Sequence, residues 1–285
     1  MNDPDSRTMT ANGLRHRVLV WNDDGGPTVV CCHGFLDQAL SFDSVAKELA
    51  GEGYRVVAFD WRGHGQTEHV GGGGYYHFPD YVLDLHELMP FLVSEEVHLV
   101  GHSMGGTATA LYTATHPNVP KTLTLIEGLG PPASTQSPPE KMRAWLDSVD
   151  RIRGRAPRPM SDLADAVKRM RVSNPELPTS LAYELAEAGT REDEEGLLWR
   201  FDPLHRTTSP ATFDPARFAQ YLAAIPCPTL IVTGTRGFRT ADHETRVAAL
   251  ADAREVIVED VGHMIHQLAP ERLAGAILEH IRQSG

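Results

Sequence analysis

A chain of 285 residues, 41% hydrophobic and 22% charged, is long and apolar enough to bury a large core in one domain or two. Its formal net charge of −12, with no sustained Lys/Arg run, argues against a phosphate-backbone partner, so no nucleic-acid partner is expected. No apolar run approaches the roughly 20 residues that span a bilayer, and the polar, acidic residues Met1 to Ser6 hold no signal core, so a cytoplasmic protein without a membrane span is expected.

The three cysteines, Cys31, Cys32 and Cys227, are odd in number and two are adjacent, which suits reduced structural thiols. Without a CxxC or a His/Cys ligand spacing, no metal site is expected.

In chain order, Leu14 to Trp21 reads as a leading strand, followed by a turn at Asn22 to Pro27. Thr28-Val29-Val30-Cys31-Cys32 is a continuous apolar run, the pattern of a strand covered on both faces, and it empties into His33-Gly34-Phe35. Phe42, Val45, Ala46 and Leu49 mark one helical face, and Tyr54 to Phe59 is the next strand. A helix after Pro79 carries Tyr81, Val82, Leu85, Leu88 and Met89 on one face. Val97 to Val100 is then a strand, followed by a small-residue helix from Thr107 to Thr115 and a strand from Thr122 to Ile126. Strands alternating with helices predict a parallel sheet covered on both faces.

From Leu129 to Pro226 the alternation stops, and Leu163-Ala166-Val167-Met170 and Leu181-Leu185 suggest helices. An interval of about a hundred residues is too long for a plain loop. It is expected to form a helical cap, residues 129–226, on a core made of 1–128 and 227–285. Trp145, Trp199 and Phe201 are candidates to line its pocket, and the basic spot Arg151 to Arg155 is expected to coat its solvated face. The alternation resumes with strands at Thr229 to Thr233 and Glu255 to Val258, and Leu273, Ala274, Ile277, Leu278 and Ile281 give the closing helix.

The chemistry centres on Gly101-His102-Ser103-Met104-Gly105, a G-x-S-x-G nucleophile elbow with a strand before it and a helix after. A serine at such a turn needs neighbours that are nearly free of side chain, and the helix start beside it stabilises negative charge. A serine hydroxyl also needs a base. His263, just past the last strand and after Gly262, is favoured over His266, one turn on. The backbone N–H groups of Met104 and Phe35 are the candidate oxyanion donors.

His33-Gly34-Phe35, Asp60-x-Arg62-Gly63-His64-Gly65-x-Thr67, Gly101-His102-Ser103-Met104-Gly105-Gly106 and Gly262-His263 together resemble the α/β-hydrolase superfamily in its lidded form, across residues 14 to 282. His33 to Asp37 with Ser41-Phe42, Leu125 to Pro131, and Trp199 to Pro203 resemble its serine hydrolase-like branch. The resemblance implies an α/β fold with a mostly parallel, doubly covered sheet and an inserted helical cap.

One departure concerns the acid. Family members carry an Asp in a G-x-x-D pattern after the strand that follows the lid; here Gly234-Thr235-Arg236-Gly237 puts Gly237 in that place. Glu127, closing the strand beside the elbow strand, is the favoured replacement, with Asp242 second and Asp260 third. Asp60 is expected to brace its loop, and Arg236 and Arg239 to be solvated.

The expected activity is cofactor-free hydrolysis of a small-molecule carboxylic ester, thioester or lactone through an acyl-enzyme on Ser103. Carbon–carbon bond hydrolysis, amide cleavage or perhydrolysis on the same triad is an alternative. A ligand-binding protein with a weakened triad is the alternative of another class.

Overall fold

The computed structural model describes residues 3–93, 96–156 and 158–284. The chain begins with β1 (Asp5–Ala11), β2 (Leu14–Trp21) and β3 (Thr28–Cys32), then α1 (Asp43–Gly51), β4 (Arg55–Phe59) and α2 (Phe78–Leu92). The central unit is β5 (Val97–His102), α3 (Met104–Thr115) and β6 (Pro120–Ile126). The next interval holds α4 (Pro138–Arg153), α5 (Leu163–Ser173), α6 (Thr179–Gly189), the hairpin β7 (Thr190–Asp193) and β8 (Gly196–Trp199), and α7 (Pro215–Ala223). The chain closes with β9 (Thr229–Gly234), α8 (His243–Ala249), β10 (Ala253–Val258), α9 (Ile265–Leu268) and α10 (Pro270–Ser284).

Eight strands form one sheet in the order β1-β2-β4-β3-β5-β6-β9-β10, antiparallel through β1, β2 and β4 and parallel from β4 onward. Alternate residues of the buried strands feed opposite faces. Val30 and Cys32 of β3 pack with Leu85, Leu88 and Tyr112 from α2 and α3, whereas Val29 and Cys31 pack with Val45, Leu49, Leu273 and Ile277 from α1 and α10. This two-sided burial is why β3 carries no polar alternation. All three cysteines are buried and free. β1 was not visible in the hydrophobic pattern: six of its seven residues are exposed or half-buried, and pairing with β2 holds it in place.

Strand order reverses between β3 and β5, since β4 lies on one side of β3 and β5 on the other. Their following loops diverge there and leave a crevice at the carboxyl edge, where ligands bind open α/β sheets. α5 and α6 bury a small core of their own, including Ala166, Val167, Leu177, Ala182 and Leu185. α7 does not join it. Phe218 and Leu222 pack into the α2–α3 layer, because this amphipathic helix returns the chain to the sheet before β9.

The Pro203–Arg206 turn is anchored by aromatic rings. His205 lies 3.9 Å from the Tyr76 ring and 4.0 Å from that of His64, and Tyr76 donates its hydroxyl to Asp202 at 2.8 Å. Burial lowers the His205 pKa from 6.5 to about 4. The unfolded chain therefore takes up this proton first as pH falls, so the stability tied to neutral His205 is present above pH 6.5 and lost toward pH 4. A shift of that size is worth about 3 kcal/mol. Urea midpoints at pH 7 and pH 4 should show a smaller acid loss in His205→Gln than in the parent. Equal losses would mean that the folded protein protonates His205 as readily as the unfolded chain.

Candidate active site

Ser103 sits between β5 and α3 with φ 51° and ψ −113°, a backbone conformation that L-residues rarely adopt. Its amide donates to Ile126 O at 2.9 Å, and its carbonyl accepts from Thr107 N at 3.1 Å, so strand and helix bonds fix the turn from both sides. The glycines are required by contact. A Cβ on Gly101 would come within 2.5 Å of Thr109 Oγ1 and 2.6 Å of Gly106 Cα, and one on Gly105 would overlap the Cys32 carbonyl. Gly105 thus lets the start of α3 press against the end of β3, beside the loop that carries Phe35.

That loop is held by His33 and Trp61. His33 Nε2 accepts from Trp61 N at 3.1 Å, and Trp61 Nε1 donates to His33 O at 2.9 Å. Gly34 passes so close to His102 that a Cβ would lie 2.6 Å from its Nδ1, and Leu36 turns the chain with φ 58°. Asp60 accepts from Ala39 N at 2.7 Å and Gln66 N at 2.9 Å, joining the loops after β3 and β4.

The structure brings Glu127 to His263. His263 Nδ1 lies 3.4 Å from Glu127 Oε2. The Glu127 side chain is fully buried, and it also accepts from Gly234 N at 2.8 Å and Phe238 N at 2.7 Å. Glu127 adopts φ 50° at the end of β6. A Cβ on Gly237 would overlap Glu127 Oε1, so the residue found where the family's Asp belongs makes room for this carboxylate. Asp242 is engaged elsewhere, accepting from Arg246 Nε at 2.9 Å. Asp260 occupies a turn with φ 59°, its amide bonded to Thr235 Oγ1 at 2.9 Å. Arg236 pairs with Glu176 at 2.5 Å, and Arg239 pairs with Glu244 and Glu255.

His266 is buried and bonded to Asp37 at 3.0 Å, with its ring stacked on Phe42 at 4.7 Å. Burial would raise the Asp37 carboxyl, but the hydrogen bond and charge of His266 outweigh it and hold the group below its usual range. His102 Nε2 donates to His263 O at 3.1 Å, steadying the loop that presents His263. Burial pushes His102 well below the usual histidine pKa, which keeps it neutral. Sequence spacing gave no sign of a metal site, yet Asp37, His102 and His266 each place a ligand-type atom within 4.8 Å of the others. No sequence pattern could reveal this group, because its members come from the loop after β3, the end of β5 and α9.

A cavity of about 710 Å³ opens beside the β3 loop, lined in part by Leu36, Asp37, Trp199 and Phe201. Trp145 lies elsewhere, edge-on to Tyr75 at 5.2 Å. Ser103 and His263 do not line this cavity; Leu36 and Asp37, directly after Phe35, do.

No helix among the described residues is long and apolar enough to cross a membrane. The family described as alpha/beta hydrolase fold matches residues 27–270. A serine hydrolase-like protein of Danio rerio is 28% identical over 65% of this chain, and the match spans 58% of that relative's length. A Dictyostelium discoideum serine hydrolase-like protein is 22% identical over 94% of this chain and 78% of its own. Among solved structures, a thioesterase domain from the curacin biosynthetic pathway superposes with a TM-score of 0.87 at 28% identity, covering 97% of this chain and 100% of that one. With the elbow at the centre of its sheet, the chain belongs to the α/β-hydrolase family.

Proposed function

We propose that this hydrolase cleaves carboxylic esters, thioesters included, through an acyl-enzyme on Ser103. The observation that carries this reading is the contact between fully buried Glu127 and His263 Nδ1. A carboxylate on Nδ1 keeps the proton there, so Nε2 is the basic nitrogen, and it stabilises the imidazolium once formed. Ser103 Oγ attacks the substrate carbonyl carbon as His263 Nε2 takes the hydroxyl proton. The N–H groups of Phe35 and Met104 hold the oxyanion. Collapse breaks the bond to the leaving group, which departs with the proton from His263. Water then attacks the acyl-enzyme with His263 as base and releases the acid, restoring the Ser103 hydroxyl.

The similarity to a thioesterase domain supports acyl transfer to water as the reaction class. Residues 129–226 are proposed as the cap, with α4 to α6 and the β7–β8 hairpin as its body, on a core of 1–128 and 227–285. Three buried, free cysteines fit a reducing, cytoplasmic setting.

A fluorophosphonate labels an activated serine without a guess at the substrate, so intact mass is the first test. The parent should gain one adduct and Ser103→Ala none; equal labelling of both would remove Ser103 from the mechanism. Glu127→Gln should lower kcat by about 10³–10⁴-fold, the usual cost of losing a triad carboxylate. Unchanged kcat would remove Glu127 from the triad.

Gly237→Ala places a methyl group on the carboxylate and should cut kcat even though Glu127 remains. The double variant Glu127→Ala/Gly237→Asp returns a carboxylate to the vacated space and should exceed Glu127→Ala alone in kcat. No recovery would show that the position of the chain at Glu127, and not only a carboxylate near His263, is required.

A further inference from the structure

The cavity beside the β3 loop has a charge opposite to that of the chain. Five arginines line it, Arg155, Arg158, Arg169, Arg191 and Arg206, in a protein of formal net charge −12. Asp37 is the one carboxylate in that lining, and it is already bonded to His266 and Ser41. Arg169 is satisfied by Asp165 at 2.8 Å, and Arg191 has Asp193 at 3.9 Å. Among the described residues, Arg155, Arg158 and Arg206 have no carboxylate partner. Arg206 instead lies over the Phe201 ring, 5.0 Å from its centroid, which fixes its guanidinium at the wall.

Three unpaired guanidiniums facing one concave space repel one another, and a concave wall focuses their field on whatever enters. The same lining includes the apolar side chains of Leu36, Leu185, Leu198 and Trp199. Leu36 and Asp37 are the next two residues after Phe35, so the cavity begins within about 7 Å of chain from the proposed oxyanion donor.

From this arrangement we propose that the cavity binds an anionic end of the substrate, a carboxylate or phosphate joined through an apolar segment to the ester or thioester carbonyl. The inference rests on the serine-hydrolase reading and specifies its substrate class. The apolar wall takes the connecting segment, and Arg155, Arg158 and Arg206 take the charge. Since these arginines are exposed, the attraction is screened by salt and each contributes modestly.

The test compares matched substrates in two arms. The mono-p-nitrophenyl ester of glutaric acid against p-nitrophenyl valerate places the anion on the acyl side. Butyryl-coenzyme A against the neutral N-acetylcysteamine thioester of butyrate places phosphates on the leaving side. The anionic member of at least one pair should have the higher kcat/KM, by about tenfold at low salt, and the preference should shrink near 0.5 M salt. The arm that shows it identifies the side that carries the anion.

Arg155→Glu, Arg158→Glu and Arg206→Glu should each reduce that preference by about threefold or more. Three separate variants keep the test valid if one folds poorly. No anionic preference in either arm, or a preference indifferent to all three reversals, overturns the inference while fluorophosphonate labelling of the parent still upholds the serine mechanism. Absence of labelling in the parent overturns the serine reading, and this inference with it.

Discussion

The arrangement of the site depends on one buried carboxylate. Leaving an ionised Glu without water costs several kcal/mol unless hydrogen bonds and charge replace the solvent. Glu127 recovers that cost from the amides of Gly234 and Phe238 and from His263. Those three partners belong to the end of β9, the loop after it and the loop after β10, so one side chain closing β6 fixes the relation of three strand ends. Removing it would unbind two backbone donors and free the His263 ring together. Gly237 is the complementary constraint, since any side chain there would occupy the carboxylate's space.

Strain is concentrated along the same edge. Leu36, Ser103 and Glu127 all take positive φ without being glycine, and each ends or follows a neighbouring strand of the parallel sheet. Such conformations cost on the order of 1–3 kcal/mol each and persist only where the surroundings over-determine them. Here the surroundings are identifiable: Gly105 against the Cys32 carbonyl, Gly34 against His102, Gly106 against Gly128 at 2.7 Å for a built Cβ. The fold spends packing energy from both sheet faces to hold a strained, preorganised edge.

What could be read in the sequence follows from what is local. The parallel strands announced themselves as unbroken apolar runs, and the elbow as two glycines around a serine at a strand-to-helix junction. The nearness of Glu127 to His263 has a local trace in the sequence: Gly237 stands where the resembled family carries an Asp and leaves room for a carboxylate from the neighbouring strand end. β1 was hidden because its residues are half-solvated and gain their place from β2 alone. The Asp37–His266 pair and the His102–His263 bond were hidden because they join residues distant in the chain. Arg155 read as part of a solvated basic spot and Arg158 and Arg206 carried no signal, since the α4–α5 connection has no motif and only tertiary folding brings the three to one cavity.

The proposed cap and the site share their anchoring residues. Gln38 donates to Leu185 O at 2.8 Å, Asn174 to Gln267 at 3.0 Å, and Arg236 pairs with Glu176. Gln38 follows Asp37, Gln267 follows His266, and Arg236 precedes Gly237, so each tether ends one residue from a group that packs or bonds at the carboxyl edge of the sheet. The tethers are few and partly exposed, and α5 and α6 bury their own small core apart from the two sheet layers. Leu40 packs against both this small core and the sheet layer of α1 and α10, so apolar contact as well as these polar tethers holds the helices. Met170 and Ser173 of α5 and Leu185 of α6 line the arginine-rich cavity, so the tethers that hold these helices also set the position of its walls.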